Sequence, residues 1–105
     1  MTYFEYHEKD DLAVFEYGDY DRYERSVDVA NFVVDLSESG EFLGLEVIGA
    51  SERLPLNKEQ LSEVEEVKIM VQKDEDSMMV TIVLEQNDEK TSLNLPVTGL
   101  NGQHA

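Results

Sequence analysis

Apolar and polar residues alternate along most of the chain, and a period of two is the mark of strands with one buried face. Tyr3 to His7 reads as a short first strand, Glu8-Lys9-Asp10-Asp11 as a polar turn, and Ala13, Phe15 and Tyr17 as the inward positions of a second strand. Residues 18–25 (GDYDRYER) read as a loop rich in tyrosine and charge, followed by a short strand over 26–29. Phe32, Val34 and Leu36 alternate next, then Leu43, Leu45 and Val47, with Phe42, Ile48 and Val33 adding apolar character to the second face. A sheet partly covered on both sides is the expectation, because a fully solvated face would be more uniformly polar.

One helix interrupts the strands. Asn57 followed by Gln60 has the spacing of a capping box, and Leu56 with Leu61 that of a hydrophobic staple, which predicts a short helix near residues 57–66. So short a helix must pack on the sheet to persist. A three-strand meander follows, with Val67, Ile69 and Val71, then Met78, Val80, Ile82 and Leu84, then Leu93, Leu95 and Val97. Pro96 has no N–H to donate, which suits an edge strand. The fold class predicted is α+β: a mostly antiparallel β-sheet of seven or eight strands with one short helix. It is expected as a single domain over 1–105, with residues 99–105 as a frayed tail.

Residues 35–46 (DLSESGEFLGLE) place oxygen-bearing side chains, a glycine and a final glutamate nearly as a helix–loop–helix calcium loop does. The flanks argue otherwise. They are β-branched and aromatic residues in alternation, so the segment is expected to be strand, turn, strand, with Gly40 supplying a positive φ. No metal site is assigned.

At this hairpin a resemblance appears. Val33-Val34-Asp35, Gly40, Gly44-Leu45-Glu46-Val47-Ile48 and Ala50-Ser51, with Tyr6, Asp11 and Ala13-Val14-Phe15 upstream, resemble domain-of-unknown-function family 2283, small prokaryotic proteins. The resemblance covers about residues 3–54 and makes 55–98 an extension. It implies a compact strand-rich domain with no established activity. Through members encoded beside genes for small ribonuclease-like toxins, it also implies an antitoxin-like role.

Charge narrows the partners. Twenty-four acids against eight bases give a formal charge of −16, a field that repels nucleic acid and anionic lipid. The acids are spread evenly and lysine is sparse, which favours a halophilic surface over mimicry of a phosphate backbone. The chain has no cysteine, no apolar run long enough to span a membrane and no basic, apolar leader, so a cytoplasmic protein is expected.

Catalytic chemistry finds little footing. There is no nucleophile elbow, no glycine-rich phosphate loop and no histidine pair at metal spacing, His7 and His104 lying far apart. No catalytic residue and no cofactor are assigned. Tyr20, Arg22, Tyr23 and Arg25 are the candidate binding residues, since tyrosine and arginine dominate binding hot spots. The function expected is a non-catalytic protein-binding or self-associating module with a protein partner or a homodimer. The alternative is a small metal-dependent or hydrolytic enzyme using Asp11, Asp35 or Glu46.

Overall fold

The structure is a computed structural model that describes residues 2–98, so the expected tail at 99–105, with His104, lies outside the described residues. Among these, eight strands form two antiparallel sheets. The first sheet takes β1 (Tyr3–His7), β2 (Leu12–Glu16), β3 (Tyr23–Val29), β4 (Phe32–Ser37) and β5 (Phe42–Ile48) in the order β1-β2-β5-β4-β3. The second is the meander β6 (Glu66–Lys73), β7 (Ser77–Gln86) and β8 (Glu89–Thr98). The fold is the expected one, divided into two sheets, and Pro96 stands on an edge strand.

Local chemistry sets the turns. Gly40, at φ 84°, lets its N–H reach the Ser37 carbonyl at 3.0 Å, while the Ser37 hydroxyl accepts from the Glu41 N–H at 3.0 Å. Residues 35–46 are therefore a hairpin, as their flanks require. Ala30-Asn31 and Asn87-Asp88 each place two successive residues at positive φ between paired strands, the turn whose twist matches the flanking strands.

Two helices join the sheets. α1 (Ala50–Arg53) is one turn that the sequence does not announce, and α2 (Lys58–Ser62) is the expected helix, shorter than foreseen. Asn57 caps α2 with the complete reciprocal box, at 2.8 Å to the Gln60 N–H and 2.9 Å from the Gln60 side chain. The helix stops early because the Glu65 N–H is taken by the Glu85 carbonyl at 2.8 Å, which draws the chain into the second sheet.

Both inner faces and both helices share one core. Phe15, Val34, Leu45 and Val47 come from the first sheet, Val80, Ile82, Leu84 and Val97 from the second, and Leu54, Leu56 and Leu61 from the helical connection. Each such side chain contributes about 1.5–3 kcal/mol of burial. No helix among the described residues is long and apolar enough to cross a membrane.

Candidate functional site

The tyrosine-rich segment divides into two environments. Residues 18–25 are not one loop: a single 3-10 turn spans Tyr20–Arg22, and Tyr23 and Arg25 already belong to β3. Asp19 starts the turn by accepting from the Asp21 N–H at 3.0 Å. The turn folds Tyr20 across the outer face of the first sheet, over Gly44, where a side chain would collide with the Tyr20 hydroxyl and the Phe15 carbonyl.

There Tyr20 Oη donates to Asp35 Oδ2 at 2.6 Å and Ser26 Oγ donates to Asp35 Oδ1 at 2.7 Å. The Ser26 proton being used, Tyr23 donates to Ser26 at 2.7 Å, and its ring stacks on Tyr20 with centroids 6.3 Å apart. Burial, then the hydrogen bond and charge of Asp35 with Glu16 and Glu46 nearby, push the Tyr20 hydroxyl far above its ordinary range. Tyr20, Tyr23, Ser26 and Asp35 thus form a closed clasp whose protons all run toward one carboxylate.

Asp11 is a second such anchor. It accepts from the Tyr6 hydroxyl at 2.7 Å, the Ser51 N–H at 3.0 Å and the Ser51 hydroxyl at 2.8 Å, tying the first hairpin to α1. Burial alone would raise its carboxyl, but these hydrogen bonds outweigh it and hold the group below its ordinary value. Glu46 is exposed, opposite Val14 and Val33. The three carboxylates of the hydrolytic alternative therefore do not act together: two are engaged by protein donors. Among the described residues no group of three or more His, Asp or Glu side chains could hold a metal ion.

The remaining binding candidates part company. Arg25 stands opposite Leu36, on the core side of β3 and half-buried. Arg22 turns to a cleft between the two sheets that sequence reasoning missed. Tyr17 and Phe42 form its aromatic wall, with ring centroids 5.7 Å apart at 50°. Arg22 and Lys73 are its cations, and Asp19 and Glu41 its carboxylates, around about 310 Å³.

Gly18 allows the tight approach that shapes the cleft. Its N–H and that of Tyr17 both reach the Leu43 carbonyl, at 2.9 and 2.7 Å, and a Cβ there would stand 2.8 Å from the Leu43 side chain. Arg22 pairs with Glu41 at 3.4 Å, and Lys73 Nζ donates to the Ser39 carbonyl at 3.1 Å. Both cations are thus held at the rim by single contacts, with N–H groups to spare. Larger hollows exist, but this one combines the exposed ring of Tyr17, backed by the buried Phe42, with two of the chain's eight basic residues. It suits a planar ring carrying an anionic group.

Fold and cleft together define a small antiparallel β domain with a ligand-sized aromatic and cationic cleft where its sheets meet. Over 110 aligned residues, 93% of this chain and 89% of the relative, the sequence is 25% identical to a Methanosarcina mazei protein named "Putative hypoxanthine phosphoribosyltransferase". No family model matches the chain, and no solved structure does. The relative's name is that of an enzyme. It overturns the expectation of a non-catalytic protein-binding or self-associating module.

Proposed function

We propose that the protein is an enzyme acting on a purine base and a phosphoribosyl group, with the cleft between the sheets as its binding site. The observation that carries this reading is the placement of Tyr17 and Phe42 beside Arg22 and Lys73 in an otherwise strongly acidic chain. The name of the Methanosarcina relative supports it. A purine ring stacks on the exposed ring of Tyr17, which Phe42 backs, a contact worth about 1–3 kcal/mol for a base on an aromatic side chain. Lys73 and Arg22 donate to the phosphate as charge-assisted partners. Phosphoribosyl transfer breaks the bond from C1′ to pyrophosphate and forms one from C1′ to a ring nitrogen, which loses its proton. Of the two carboxylates that line the cleft, Glu41 is paired with Arg22, which makes Asp19 the candidate acceptor of that proton.

Calorimetric titration with hypoxanthine and with inosine 5′-monophosphate tests the site, and pyrophosphate release from 5-phosphoribosyl-1-pyrophosphate in magnesium buffer tests the reaction. Lys73→Gln is expected to weaken the nucleotide about tenfold and leave the free base nearly unchanged, whereas Tyr17→Ala weakens both. A wild type that binds neither ligand and releases no hypoxanthine-dependent pyrophosphate sinks the reading.

A further inference from the structure

The outer face of the second sheet differs from the rest of the surface. Its strand register aligns Lys68, Val83 and Ser92 in one row, Met70, Thr81 and Asn94 in the next, and Gln72, Met79 and Pro96 in a third. These nine positions hold no carboxylate in a chain where 24 of 105 residues are acidic. The Thr81 hydroxyl donates to the Asn94 side chain at 2.9 Å, which places both on this face. Met70 and Met79 are 55% and 38% exposed here, so large apolar groups stand in water without cover. The row at one end, Glu66, Glu85 and Lys90, adds two acids and a base, and with Lys68 these twelve positions sum to zero. At the other end Ser77 and Thr98 are uncharged, and Asp74, bonded to Ser77 at the turn, adds one acid.

We propose that this face docks against the same face of a second copy, around a two-fold axis running along β7. Two chains of −16 repel each other wherever their acids meet, and here the approach involves a nearly neutral surface. The order β6-β7-β8 makes the face self-complementary under that axis. Rotation lays β6 over the second copy's β8 with rows in step, so Glu66 faces Lys90 twice, once in each direction. Met79, Thr81 and Val83 of β7 meet their own copies at the centre. Glu85, which also meets itself, is already paired with Lys68 at 3.6 Å.

Three strands spaced about 4.8 Å apart and about 30 Å long give a footprint on the order of 400 Å² before side-chain relief is counted. Over both copies that is about 800 Å², below the size of a stable specific interface, so the dimer is expected to be weak and to dissociate in the high micromolar range. The proposal does not rest on the cleft, since Val71 and Lys73 belong to the opposite face of β6 from Met70 and Gln72.

Sedimentation equilibrium across a wide concentration range reads the assembly. The wild type is expected to pass from monomer to dimer, and Met79→Glu, which sets two carboxylates against each other on the axis, to stay monomeric. Lys90→Glu raises the dissociation constant at least about tenfold, and Glu66→Lys/Lys90→Glu brings it back to near the wild-type value. That restoration is beyond a variant that merely destabilises the fold. A wild type that remains monomeric at about millimolar concentration overturns the proposal. So does a dimer indifferent to Met79→Glu, or a charge swap that fails to restore association.

Discussion

The two sheets bury their inner faces in the same core and treat their outer faces in opposite ways. The second sheet leaves its outer face open, and the burial of β7 alternates without interruption from Met78 to Gln86. The first sheet covers part of its outer face with its own chain. Tyr20 lies over Gly44, Asp35 is only 7% exposed, and β4 and β5 are buried at nearly every position of the facing segments. Alternation is legible where one face meets water and is erased where a distant segment returns to cover it. The covered face also holds the buried carboxylate of the fold, and burying a charge requires partners within hydrogen-bond reach. The clasp around Asp35 supplies them.

The largest effect expected from this difference is at Gly44. Gly44→Ala drives a methyl group into the Phe15 carbonyl and the Tyr20 hydroxyl, and backbone cannot yield as a flexible side chain can. A loss of about 3 kcal/mol is expected in urea denaturation. A cost under about 1 kcal/mol would mean that Tyr20 is not seated on the sheet.

Asp35→Asn comes next. The amide keeps the shape but cannot accept from both Tyr20 and Ser26 without turning an N–H toward one of them. A loss of about 2 kcal/mol is expected, and Tyr20→Phe in the same background should add less than it does alone, since the two share one interaction. Strict additivity would dissolve the clasp and with it the contrast between the sheets.

The smallest effect is at Tyr6, whose hydroxyl is pushed up to about 12 by burial and then by the bond to Asp11. A tyrosine raised in the folded state contributes stability that is full below its ordinary value of 10.0 and is lost as pH rises through about 12. Asp11, held low, contributes above its ordinary 3.8 and loses that contribution as pH falls below it. Tyr6→Phe is therefore expected to cost about 1 kcal/mol at neutral pH, to weaken the acid loss by removing a donor to Asp11, and to remove the Tyr6 contribution to the alkaline loss. Chemical denaturation at pH values on either side of each limb measures all three.

Much of the molecule is written locally. Period-two runs marked the strands, Asn57 and Gln60 marked α2, and the β-branched flanks of residues 35–46 made that segment a hairpin, because these signals depend on neighbours a few residues apart. The one-turn α1 escaped notice because its hold comes from Asp11, bonded to Ser51 forty positions away in the chain. Tyr20, Tyr23, Arg22 and Arg25 could be singled out by residue type, yet type alone could not divide them among a clasp, a cleft and the core side of β3. The cleft itself was invisible, since Tyr17, Phe42 and Lys73 come together only when β6 crosses to the first sheet. The sequence by itself determined which segments are strands and where most of them turn, though not that β3 starts as early as Tyr23, for those choices follow backbone propensity and burial of one face. Only the tertiary structure decided which carboxylates were engaged and which cations faced a cavity, because a hydrogen bond reaches about 3 Å in space and takes no account of distance along the chain.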